Sequence, residues 1–236
     1  MIFSMLVLLT QPVAAGNFAV SPIRVDFAQG NKNGAITVSN DGQDELRVKI
    51  GLYEWYQDWD GKDGFRESND LIYFPRIATI AAGEKRLVRI GLRGTLPQPA
   101  ERSYRLFIED IPENVAAQGS HLAIAVRFGV PLFVSPDKEE VHGEIEALRL
   151  DGGKLYVRVR NTGNVHFRIS SVSAARDQVP IGEATGWYLL PGAARDHLIE
   201  LPPEHCRAPG HIDVTVNSDR VTLKGALDIT PSMCGG

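Results

Sequence analysis

This chain of 236 residues predicts an all-β protein built of two β-sandwiches, on three observations. Helix signals are nearly absent. Short β-rich runs recur between clusters of Gly, Asn, Asp and Pro. One run, residues 121–133, sets large apolar residues at Leu122, Ile124, Val126, Phe128 and Val130 between small or charged ones. That is the period of a strand with one apolar face.

Residues 1–15 are a short apolar stretch that ends in Val13-Ala14-Ala15 and lacks the Lys or Arg usual in leaders. The stretch is too short to span a bilayer, and its end fits a small-residue cleavage pattern. It reads as a secretory signal peptide, so the mature chain is expected to be exported and not inserted in a membrane. Strand-like runs then fall at 23–27, 35–39, 46–56, 72–78, 85–92 and 104–110, followed by 121–133. Pro and a charge cluster interrupt the alternation at Ser135-Pro136-Asp137-Lys138-Glu139-Glu140. The pattern restarts at 144–150, 154–160, 168–174, 186–190, 197–201, 211–216 and 221–229. Turn chemistry separates many of these, as at Asn40-Asp41-Gly42 and Asp151-Gly152-Gly153. The expected division is residues 16–135 and residues 136–236.

Pro131 has no N–H to give to a ladder, so the run 121–133 suits an edge strand. A long apolar edge invites pairing with another chain, including a second copy that would cap it. The two cysteines, Cys206 and Cys234, are expected to form one disulfide in an oxidising compartment.

Composition narrows the function classes. A formal net charge of -4 gives no basic footprint for nucleic acid. The sequence holds no nucleophile elbow, phosphate loop or His-Glu-x-x-His segment, and its six histidines form no ligand or acid–base array. No catalytic residue, metal site or cofactor is therefore expected. Asp58-Trp59-Asp60-Gly61-Lys62-Asp63-Gly64 begins like a calcium loop, but Lys62 sits where an oxygen ligand belongs. It reads as a hairpin. Tyr53, Trp55, Tyr56 and Trp59 are expected as core and rim packing, with a carbohydrate platform as the other reading. Arg24 stands among β-formers at 23–27, either facing solvent or lining a cleft where its planar fork would bind a carboxylate.

Several segments together resemble the periplasmic pilus-assembly chaperones of the PapD-like type. They are Val20-Ser21-Pro22-Ile23-Arg24-Val25, Ile36-Thr37-Val38-Ser39-Asn40, the stretch 75–89, Tyr104-Arg105-Leu106-Phe107-Ile108-Glu109-Asp110-Ile111-Pro112, and Asn161-Thr162-Gly163-Asn164. No single piece is specific; their order and spacing are. The resemblance implies two immunoglobulin-like sandwiches at an angle. It also implies a donor strand at 121–133 that fills the groove of an incomplete pilin subunit, and delivery of that subunit to an outer-membrane usher. Leu122, Ile124, Val126, Phe128 and Val130 match the donor positions, and Arg24 matches the cleft arginine that anchors the subunit's terminal carboxylate. One departure stands out: Pro131 occupies the place of the family's second anchor, a lysine. That places the chain nearest the divergent branch serving spore-coat-U-like or archaic pilins, with Arg89 a candidate second cation. Glu101 and Asp219 match members of the family's interdomain charge cluster, whereas Ser135 stands where an arginine is usual. Two other classes remain open, a secreted carbohydrate-binding or adhesive sandwich and a secreted hydrolase with a cryptic His–carboxylate pair.

Overall fold

The computed structural model describes residues 18–28, 31–94, 99–111, 125–206 and 209–234. The proposed signal peptide, Leu122 and Ile124 lie outside these residues. The first sandwich is made of β1 (Phe18–Ser21), β2 (Val25–Phe27), β3 (Asn33–Asn40), β4 (Leu46–Gln57), β5 (Asp63–Arg66), β6 (Leu71–Phe74), β7 (Ile77–Ile80), β8 (Lys85–Leu92), β9 (Arg102–Asp110) and β10 (Arg127–Val134). The second is made of β11 (Gly143–Asp151), β12 (Lys154–Asn161), β13 (Phe167–Arg176), β14 (Val179–Thr185), β15 (Tyr188–Leu189), β16 (Ala194–Glu200), β17 (Gly210–Ser218) and β18 (Thr222–Ile229).

In the first sandwich one sheet runs β1-β3-β8-β6 and faces a sheet ordered β2-β10-β9-β4-β5, with β7 also on β4. In the second, β11-β12-β16 faces β14-β13-β17-β18, with β15 on β13. These are two immunoglobulin-like β-sandwiches, and no strand pairing joins one to the other among the described residues. The strands form where apolar residues alternate. On β3 Ile36 and Val38 point inward, on β4 Val48, Ile50 and Leu52, on β12 Leu155, Val157 and Val159. Each sandwich has its own apolar core.

The run expected as one strand at 72–78 is two strands in different sheets. β6 pairs with β8, and β7 pairs with β4. Pro75, between them, has no N–H for a ladder. β14 packs against β13 although Val179-Pro180-Ile181-Gly182 shows little strand character. Cys234 is disulfide-bonded.

A third apolar cluster lies between the sandwiches. Trp55 of β4 and Phe133 of β10 meet Leu190 and Tyr188 of the second sandwich. Polar bonds surround it. Gln57 donates from Nε2 to Tyr188 O at 2.9 Å and accepts from Leu190 N at 2.9 Å. The Asp58–Asp63 segment is the expected hairpin, with Asp58 Oδ1 accepting from Asp60 N and Lys62 N. Its tip docks on the second sandwich, where Arg158 Nη2 donates to Trp59 O at 2.9 Å and Arg195 Nε donates to Gly61 O at 3.0 Å. Gly61 has φ +73, and a Cβ there would stand 2.5 Å from Ala194 O. Only glycine permits both the turn and the approach.

Candidate functional site

β10 pairs with β9 along its whole length, Arg127↔Glu109 through Val134↔Arg102. Its other edge carries β2 only at Leu132↔Val25, Phe133↔Asp26 and Val134↔Phe27, in parallel. Arg127 to Pro131 therefore have one open edge among the described residues. Asp110 N donates to Val126 O at 3.0 Å, so the even-numbered residues turn their backbone groups toward β9. Arg127, Gly129 and Pro131 then turn theirs to the open edge, and Pro131 removes no bond from the β9 ladder. Its missing N–H falls on the unpaired side.

Side chains alternate in the same way. Val126 packs partly buried on the first core, Phe128 sets its ring edge-on to Phe18 at 4.9 Å, and Val130 is buried. Phe128 is 37% exposed. On the opposite face, Arg127 lies over the Phe107 ring at 3.7 Å. Val130 through Val134 are all buried because both faces are covered, one by the core and one by the junction.

Arg24 immediately precedes β2. Its Nε donates to both carboxylate oxygens of Asp26, at 2.9 and 2.8 Å, and its Cζ stands 4.9 Å from the Phe133 ring centroid. Burial opposes its charge, but the bonds and charge of Asp26 outweigh that and raise its pKa above the usual arginine value. Arg89, the expected candidate for a second cation, is not beside it. Arg89 sits on β8 in the other sheet, exposed, with Ala35 and Phe74 as cross-strand partners. Its buried neighbours Val88 and Ile90 turn inward, which turns Arg89 to the outer face.

A cation that sequence reasoning missed is Arg105. It is the cross-strand partner of Pro131 and is only 6% exposed. Its Nη1 donates to Gly129 O at 2.9 Å, and its Cζ lies 4.1 Å from the Trp55 ring centroid, 5.4 Å from Trp187 and 5.8 Å from Tyr188. Burial lowers its pKa, with Asp63 and Tyr188 acting in the opposite direction. Gly129 keeps the way open, since a Cβ there would stand 3.1 Å from the Phe107 ring and 3.8 Å from Arg105 Cδ.

Beside this row, Glu101 and His166 form a buried pair across the junction, with Nδ1 2.7 and 2.8 Å from the two carboxylate oxygens. Asp219 accepts from Arg168 N at 2.7 Å, and Arg220 pairs with Glu139 at 2.6 Å. Trp55 is buried in the junction, whereas Trp59 is 77% exposed. Among the described residues no cluster of His, Cys, Asp and Glu could hold a metal ion, and no helix is long and apolar enough to cross a membrane.

Comparison with curated protein sequences finds no match. The fold has many solved relatives. A chain of the CsuC–CsuE chaperone–tip adhesion subunit complex from archaic chaperone-usher Csu pili of Acinetobacter baumannii is 22% identical, with a TM-score of 0.63 over 91% of this chain and 98% of that one. The YadV chaperone is 16% identical, with a TM-score of 0.59 over 90% of this chain and 99% of that one. A chain of the Salmonella enterica SafA pilin–SafB chaperone complex is 19% identical, with a TM-score of 0.56 over 92% and 99%. The family described as pili and flagellar-assembly chaperone, PapD N-terminal domain, matches residues 17–140, more than half of the sequence. With its two immunoglobulin-like sandwiches, this chain belongs to the PapD-like family of pilus-assembly chaperones.

Proposed function

We propose that this protein is a periplasmic chaperone that captures pilin subunits by donor-strand complementation and hands them to an outer-membrane usher. The observation that carries the reading is the open edge of β10 at Arg127 to Pro131, with Val126, Phe128 and Val130 on one face. A subunit lacking a strand would pair its backbone with that edge and take the apolar side chains into its groove. Leu122 and Ile124 would extend the same face. Each large side chain so covered contributes roughly 1.5–3 kcal/mol before ordering costs. In this reading residues 1–15 are the export signal, residues 16–135 carry the donor strand, and residues 136–236 form the second domain. Arg24 contributes to anchoring the subunit's terminal carboxylate, and Cys206 is the disulfide partner of Cys234. The free protein is expected to cap its own edge by pairing with a second copy.

The test is intact mass spectrometry of whatever co-purifies with the tagged protein from its own periplasm. The expected result is a roughly equimolar small β-rich protein that is lost in Val126→Asp. A folded Val126→Asp variant that still holds the partner would refute the donor-strand assignment. A second reading, a carbohydrate-binding module, draws on the exposure of Trp59 and Tyr56. It predicts sugar binding that disappears in Trp59→Ala and is untouched by Val126→Asp.

A further inference from the structure

The second sandwich is not closed evenly along its side. β14 and β16 are the outermost strands of facing sheets and share no ladder. At Gly182 they touch, since a Cβ there would stand 2.5 Å from Ile199 Cγ2. Beyond that contact the seam parts into a cavity of about 870 Å³. Glu183 to Trp187 form one wall and Arg195 to Leu198 another, while the hairpin tip Asp60 to Lys62 borders it from the first sandwich. Both sandwiches therefore line it, and β10 does not.

Its charges nearly cancel. Asp60, Glu183 and Asp196 line it together with Lys62 and Arg195, and Arg158 stands 3.0 Å from Asp196 and 3.7 Å from Asp60. Arg195 already donates to Gly61 O. Three side chains of the lining have no hydrogen-bond or ion-pair partner among the described residues. They are mixed in kind: the Lys62 ammonium donates, the Glu183 carboxylate accepts, and the Thr185 hydroxyl does both. Such a lining suits a neutral molecule that carries donors and acceptors together.

Trp187 supplies an apolar platform. Its Nε1 donates to Asp63 Oδ2 at 2.9 Å, and its ring stands edge-on to Tyr188, at 90° with centroids 5.7 Å apart. The indole is thus fixed in place yet 37% exposed. In the β16 wall, His197 bonds the backbone of Thr185 and leaves a buried Nε2 with no partner among the described residues. Buried polar atoms are usually matched, so this one marks a place for a hydroxyl.

We propose that this cavity is a saccharide site, with one face of a pyranose ring on Trp187 and its hydroxyls on Lys62, Glu183 and Thr185. A sugar ring has an apolar C–H face and a rim of groups that donate and accept. That matches an exposed indole among mixed polar partners. A singly charged ligand would leave Lys62 or Glu183 beside its own sign of charge. The site is separate from subunit capture, and its occupant touches both sandwiches.

The test follows the three tryptophan indole N–H signals of the isotope-labelled full chain by NMR. Trp59→Phe and Trp187→Phe assign them. The probes are maltotriose and triacetylchitotriose, each raised to about 10 mM, where a site with a Kd of about 1 mM is nearly filled. At least one is expected to move the Trp187 signal saturably and to leave that of Trp59 in place. Glu183→Gln and Lys62→Met change exposed side chains, and each is expected to weaken binding about tenfold. A Trp187 shift with affinity unchanged in both variants would overturn the proposal. So would a Trp187 signal that responds to neither sugar. A shift confined to Trp59 would overturn it as well, and would make the hairpin tryptophan the sugar platform.

Discussion

The ring of His166 lies flat against that of Phe133, with centroids 3.6 Å apart and planes 13° from parallel. Phe133 is the penultimate residue of the strand that carries the open edge, and His166 lies just before β13 of the second sandwich. The stack joins the candidate site directly to the junction, and Glu101 fixes it from the side by bonding Nδ1.

Glu101→Ala is expected to loosen both sandwiches. It removes the hydrogen-bond partner of a buried imidazole, a change that costs about 2–4 kcal/mol. Urea unfolding of the variant should show the loss. An unchanged midpoint would mean the pair contributes nothing net.

Position along β10 should separate binding from folding. Val126→Asp changes a partly buried side chain at the strand entrance and should leave the melting temperature nearly unchanged while abolishing subunit capture. Val130→Asp buries a charge in the core and should lose several kcal/mol of stability. Circular dichroism melts and co-purification of the same pair of variants decide this.

Acid should weaken the protein through His197. Burial, aided by the positive charge of Arg195, lowers the His197 pKa below the usual histidine value. The unfolded chain then takes up a proton that the folded one resists, so stability falls as pH drops below about 6.5. His211 runs the other way. Asp228 raises its pKa, so the contribution of His211 is present below the unfolded pKa and is lost as pH rises through the folded one. It is exposed and screened, so His197 should decide the sign. His197→Gln should flatten the slope of urea midpoints between pH 7 and pH 5.

Gly61→Ala should destabilise by about 1–3 kcal/mol, because the residue holds positive φ and its Cβ would meet Ala194 O. Thermal unfolding measures it. A neutral result would show that the hairpin tip yields easily.

The reduced protein should unfold at lower denaturant than the oxidised one, by about 2–4 kcal/mol for a disulfide of this kind. Intact mass before and after reduction would verify the Cys206–Cys234 assignment.

Where apolar residues alternate cleanly, as on β3, β4, β8 and β12, the strands were legible in the sequence. β1, β5 and β14 were not, because Phe18–Ser21 and Asp63–Arg66 are short and Val179–Thr185 contains Pro180 and Gly182. The aromatic group at 53–59 was legible as packing, but not its division. Trp55 turns into the space between the sandwiches, while Trp59 stays outside. Arg105 was hidden for a different reason. Between Tyr104 and Leu106 it reads as one more polar position of a strand, and its meaning depends on being opposite Pro131. Register between distant strands is a tertiary property, and period-2 pattern carries none of it. Arg89 misled for the same reason: it is a cation at the end of the stretch 75–89 that carries the resemblance, and it lies on the other sheet in space.

The second half of β10 is clamped by β9, by β2 and by packing on both faces, while its first half is paired on one side alone. A strand held in this way cannot slide when another chain zips along it. A slip of one residue would turn every side chain over to the wrong face. If a subunit strand pairs there as proposed, the held half would work as a ruler, setting where that strand must stop before it has made its first contact.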